Sequence, residues 1–250
     1  LTRDRLLRSL IFLIPVATLV AGMVTAWPLP NAFVSALVLL GVGWMALGLL
    51  QAPVIMALPA LTHLTIAHPP AAATALNRLT ARRGLSCTLR LTLYHHAAQI
   101  THRLGHTSQA AALATTLLRL TPQPNTHTPA STRSTSPPHA ALLLIIADAH
   151  LNTPHPANAY PALAALAHTP VTLDQSLKRL VLRTQYEVAI GAHHAALANL
   201  PTKADLSGLM PTADTQRLHQ NLLTAAQAAN NPQATNWLAQ RVELLGNNAI

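Results

Sequence analysis

The chain has 250 residues, enough for one or two domains with a real core, and only 9% of them are charged, against about 25% in ordinary soluble domains. Its formal charge of +9 is unevenly placed: residues 1–147 carry ten Arg and one acid, Asp4, whereas residues 148–250 hold six basic and six acidic side chains. Sparse arginines with 3% aromatics argue against nucleic-acid binding, and a single cysteine, Cys87, excludes an internal disulfide or a Cys-based zinc cluster.

From Arg8 to Arg78 the sequence contains no Asp, Glu, Lys or Arg between the two ends. A bilayer-crossing helix needs about 20 apolar residues. Two such spans fit, one over about 9–27 and one over about 32–52, joined by the stretch PLPN, which stops one helix and starts the next. Trp27 stands where an interfacial aromatic is expected. Cleavage after VTA (Val24–Ala26) is the alternative, but the apolar run is longer than a signal-peptide core. Arg3, Arg5 and Arg8 precede the first span and Arg78, Arg82 and Arg83 follow the second, with none at the tip. Excess positive charge stays on the cytoplasmic side, so both termini are expected there, as in a bacterial inner membrane.

Pro15 predicts a kink in the first span. Small residues recur at helical spacing in both: Thr18, Gly22 and Ala26 in the first, Gly41 and Gly48 in the second. Such faces let helices approach closely, either to pack the hairpin or to dock on another membrane subunit. Neither span holds a charged side chain, which speaks against an ion path. His63 has no partner histidine in the first span, so a two-histidine haem site is not expected. Residues 51–70 stay apolar but contain Pro53, Pro59, Pro69 and Pro70, and read as an interfacial segment closing a membrane anchor of residues 1–70.

Residues 71–250 read as a cytoplasmic helical domain without alternating strand patterns. Leu89, Leu93, Ala97 and Ile100 share one face; Thr107 is a plausible cap for a helix to Leu120. Residues 121–139, rich in Pro, Ser and Thr, read as a flexible insertion. Helices follow near Leu142–Asn152 and Pro156–His168. Thr172 and Gln175 form a capping box for a helix to Ile190, which Gly191 ends. A short return helix, a loop over PTKADLSGLMP, and helices near Ala213–Ala229 and Gln233–Leu245 complete the chain.

The segment YHHAAQITHRLGHTSQAAALATTLLRLTP resembles a tetratricopeptide repeat. Gly105 stands at the turn, Ala110 follows five residues later, and Pro122 closes the unit. The same spacing recurs from Pro154 to Ala159 and from Gly191 to Ala196, at intervals of 49 and 37 residues against a regular period of about 34. The resemblance implies an all-α fold of antiparallel helix pairs behind a two-helix anchor, whose leading helices line a groove that binds other proteins. Thr92, His95, Gln99, His102 and Arg103 fall on the matching face of the first leading helix and form the candidate contact stripe.

Chemistry is harder to find. The seven acids form no close pair for acid–base work, and glycine-rich phosphate loops, HExxH, GxSxG and CxxC patterns are missing. His102 and His106 are split by Gly105, while His95–His96 and His193–His194 are adjacent and diverge, so neither metal nor cofactor is expected. The expected function is therefore a non-enzymatic membrane-anchored scaffold. An accessory subunit of a larger membrane complex is the alternative, and a His- and Asp148-dependent enzyme the least supported.

Overall fold

A charge-free sequence of this length folds into one long helix, apolar enough to cross a bilayer, part of which enters a core. The computed structural model describes residues 14–17, 20–21, 29–82, 85–120 and 137–247. The first expected span, with Thr18, Gly22 and Ala26, lies mostly outside the described residues, as do 121–136 of the expected insertion. The chain divides into two compact units, residues 1–104 and 105–250. Among the described residues every regular element is helical.

In the first unit, α1 (Leu29–Ala67) is 39 residues long, about 58 Å. It contains the second expected span but does not stop near residue 52. It runs unbroken through Pro53 and Pro59, where the sequence suggested a broken interfacial segment. The reason is burial. Val54, Leu61 and Thr65 are buried, and α2 (Pro69–Thr80) and α3 (Cys87–Arg103) pack on α1 with Ala72, Leu76, Leu79, Leu93 and Ile100 in the same core. An interior proline costs about 3 kcal/mol, and burying one Val or Leu side chain returns about 1.5–3 kcal/mol. Thr65 also donates its hydroxyl to the Leu61 carbonyl at 2.7 Å. The expected boundary near residue 70 thus falls inside this unit. Ser86 caps α3, its Oγ accepting from the Leu89 amide at 3.1 Å, and Leu89 and Ala97 join Leu93 and Ile100 on the core face as the periodicity predicts.

The second unit comprises α4 (Thr107–Leu120), α5 (Pro137–Leu151), a single 3-10 turn (Pro156–Ala159) leading into α6 (Tyr160–Ala167), α7 (Leu173–Ala189), α8 (His193–Leu197), α9 (Leu200–Ser207), α10 (Thr212–Ala228) and α11 (Pro232–Asn247). Residues 137–139 of the expected insertion belong to α5. Helix α5 is buried on nearly every side from Leu142 to Ala149, as an all-round apolar helix must be. It packs against α4, α6 and α7; α7 packs against α8 and α10; α10 packs against α8, α9 and α11. Helices α5, α7 and α10 therefore touch in sequence, each with shorter partners beside it.

The turns repeat a motif. Gly191 has φ of 80°; its amide donates to Val188 O at 3.0 Å and that of Ala192 to Glu187 O at 2.8 Å. Asn230, with φ of 52°, does the same through Gln227 O at 3.1 Å and Asn231 N–H to Ala226 O at 3.0 Å. Both are left-handed helix stops with paired reverse bonds, and the next helix starts two residues on. Ala110, Ala159 and Ala196, five residues beyond Gly105, Pro154 and Gly191, are fully buried. Gly191→Ala meets no atom within 4 Å, so its cost is backbone strain alone: about 1 kcal/mol, read as a lowered unfolding midpoint.

The Thr172 capping box forms with both bonds, 3.0 and 3.4 Å. The expected loop at PTKADLSGLMP is instead largely helical, as α9. Pro201 sits in its first turn, Ala204 and Ser207 are buried, and Thr215 Oγ1 donates to Ser207 O at 2.8 Å. Sequence punctuation by Pro and Gly concealed about two turns of helix that tertiary contacts hold.

Candidate interaction surface

The expected contact stripe lies on α3. Thr92 is half-buried and its hydroxyl donates to Thr88 O at 3.0 Å; Gln99 and His102 are half-buried, and Arg103 is exposed at the helix end. His95 is half-buried, with its ring 6.1 Å from that of His96 in an edge-on arrangement. Burial first, and the His96 ring second, pull the His95 pKa down to about 4, and burial lowers that of His96. His95 is thus held neutral within the packed part of the stripe.

The sign of the pH effect follows. Above the ordinary histidine pKa of 6.5 both folded and unfolded imidazoles are neutral, and His95 adds no pH dependence. Below it the unfolded chain takes up protons that the folded ring refuses down to about 4. The first unit therefore loses stability as pH falls through this window. Thermal unfolding of the full chain should show the decline, and His95→Leu should flatten it; an equal slope in the variant would exclude His95 as the source.

The second unit carries a polar tie that sequence spacing did not reveal. Asp148 on α5, Gln185 on α7 and Arg217 on α10 converge: Arg217 Nη2 donates to Asp148 Oδ1 at 2.6 Å and to Gln185 Oε1 at 2.5 Å. Asn152 reaches the same carboxylate at 3.5 Å. Asp148 is 69 positions from Arg217. The only local signal is a lone acid inside the apolar run LLLIIADAHL, which burial obliges to find a cation.

Along α7 and α9 run two adjoining clefts of about 280 Å³ each, sharing Leu180, Arg183 and Leu206. Glu187 sits between two cations, 2.9 Å from Arg183 Nε and 3.9 Å from Lys203 Nζ. Arg183 and Glu187, one turn apart on α7, thus form an ion pair. Lys203 also donates to Ala196 O at 2.7 Å, satisfying a carbonyl in α8, and burial lowers its pKa against the opposing pull of Glu187. This charge set is committed to holding α7, α8 and α9 together.

On the apolar stretch of α1, Gly41 and Gly48 are exposed and a Cβ at either would meet nothing within 4 Å. Among the described residues, no three His, Cys, Asp or Glu side chains group to hold a metal ion. Comparison with protein-family models, curated proteins and solved structures finds no match to this chain.

Proposed function

We propose that this chain is a membrane-anchored interaction protein, the α3 stripe and the helical second unit each presenting a surface to other proteins. The observation that carries the reading is the ordered contact of α5, α7 and α10, each flanked by shorter helices and joined by the Asp148–Gln185–Arg217 tie. Stacked helix pairs of this kind build extended binding surfaces. The left-handed stops at Gly191 and Asn230 and the buried small alanines support a tetratricopeptide-like array. The two helices of the first repeat, α3 and α4, belong to different units, so the array favoured here begins at α4.

The anchor is α1, whose residues 34–67 are long and apolar enough to cross a bilayer. Its side chains from Val34 to Leu50 are largely exposed, including Leu37, Val38, Trp44 and Leu49. Crossing at about 34–52, paired with a first span upstream and with arginines on both flanks, puts both termini on the cytoplasmic side of a bacterial inner membrane.

Affinity capture tests the scaffold. Charge reversal at Arg103 with His95 and His102 replaced by alanine should abolish capture of the bound protein; undiminished capture would remove the α3 stripe from the interface. The open Gly41–Gly48 face favours a second reading, an accessory subunit docked in a larger membrane complex. Gentle detergent extraction separates the two: a stoichiometric assembly surviving size exclusion supports the subunit, and a monodisperse chain supports the scaffold.

A further inference from the structure

The ion set that joins α7, α8 and α9 leaves hydrogen-bonding capacity facing the two clefts beside it. Arg183 gives Nε to Glu187, one of a guanidinium's five donors, and its side chain is 72% exposed. Lys203 gives one hydrogen bond, to Ala196 O, from an ammonium with three donors. The walls of the two clefts carry three cations, Arg179, Arg183 and Lys203, against one carboxylate, Glu187. A neutral group adds a second, independent sign. Thr184 lines the first cleft and is fully buried, yet its hydroxyl has no hydrogen-bond partner among the described residues. Other helical threonines, such as Thr92, Thr115 and Thr224, donate to the carbonyl one turn back. Thr184 does not.

We infer that the paired clefts receive a short acidic segment of a partner protein. A carboxylate side chain enters among Arg183, Lys203 and Thr184, and an apolar side chain rests on Leu173, Leu177 and Leu180. The inference deepens the interaction reading and rests on it. Charge complementarity selects the acid, since the cleft walls hold more cations than carboxylates. A buried hydroxyl without a partner is unfavourable, and a ligand oxygen removes that cost. Leu173, strongly exposed on the second cleft, supplies apolar surface for the neighbouring side chain. Each cleft, about 280 Å³, falls just under the roughly 300 Å³ at which small-molecule pockets begin, so each suits one side chain better than a whole cofactor. Leu173 and Arg183 lie about 15 Å apart along α7, which an extended segment covers in about five residues.

A library of random octapeptides is selected against the purified full chain in detergent. Enriched sequences should carry Asp or Glu with Leu, Ile or Phe within about five positions. A synthesised winner should bind Arg183→Gln about tenfold more weakly than the parent, the loss of one charge-assisted contact. Arg183 is exposed and Glu187 keeps Lys203, so the melting midpoint of that variant should be unchanged. Thr184→Val keeps the side-chain shape and removes the unpaired hydroxyl. It should hold or raise the melting midpoint while weakening the peptide severalfold. A lowered midpoint with unchanged affinity would assign the hydroxyl to the fold and overturn its place in the site. Enrichment of uncharged or basic sequences, or equal affinity for Arg183→Gln, overturns the acidic segment. Isocaproate, a free carboxylate on a branched apolar group, should compete only weakly; competition at the peptide's own concentration would reassign the clefts to a small acid and overturn the docking. Absence of any enriched sequence sinks this inference. Partner capture that survives Arg183→Gln then leaves the interaction reading standing, whereas no capture at all sinks both.

Discussion

Arg217→Leu is expected to destabilise the second unit more than Asp148→Leu, and the double variant to recover most of the loss. The asymmetry comes from solvent access: the Asp148 side chain is 6% exposed and that of Arg217 29%. Removing the arginine takes from a buried carboxylate the guanidinium that holds it, at a cost of about 3–5 kcal/mol. Removing the carboxylate leaves a guanidinium that still reaches water and keeps Gln185, so about half that cost is expected. With both positions leucine no charge is stranded, and a well-packed apolar pair is often as stable as the ion pair it replaces. Unfolding midpoints of the four proteins, followed by Trp237 fluorescence on α11, give the cycle directly. A double variant as unstable as the sum of the singles would show that the two side chains are energetically uncoupled and would overturn the stranded-charge account. A stable double variant that fails to capture a partner would assign the tie to alignment of the three helices, since Arg217 touches both α5 and α7.

Local chemistry made most of the helical layout readable. The 3.6-residue recurrence of Leu89, Leu93, Ala97 and Ile100 places α3, and the Thr172–Gln175 box and Gly191 set the ends of α7. What escaped depends on contacts distant in sequence. Pro53 and Pro59 signal an interruption to any local rule, yet the core shared with α2 and α3 keeps α1 helical through them. Asn230 performs the glycine role with a residue that tolerates the left-handed region less well, so its stop is invisible to a search for Gly. The Arg217 tie joins α5 to α10 and has no spacing that could announce it. Of the candidate stripe, the residue types were readable, but not that packing holds His95 neutral while Arg103 stays exposed.

Two substitutions in α1 should separate its two environments. Val42→Arg puts a cation near the middle of the largely exposed stretch, where insertion costs about 2.5–3.5 kcal/mol more than for an apolar residue. The expected result is a roughly hundredfold shift of that helix away from the inserted state, read as loss of carbonate-resistant membrane pellet. Leu61→Ala lies further along the same helix, 1% exposed in the core with Leu76 and Leu93. It should leave the pellet unchanged and lower the stability of the first unit by about 2–5 kcal/mol, since a cavity is added to the lost transfer energy. The reverse outcome would be informative. If Leu61→Ala released the chain from membranes, bilayer contact would extend to residue 61 and α2 and α3 would pack inside it. That position is hard to reconcile with Arg78, Arg82 and Arg90 on those elements, because each arginine at bilayer depth costs as much as the one introduced at position 42. The charge-free run from Arg8 to Arg78 therefore combines an exposed apolar stretch with residues, Leu61, Ala72 and Leu76 among them, that face a protein core.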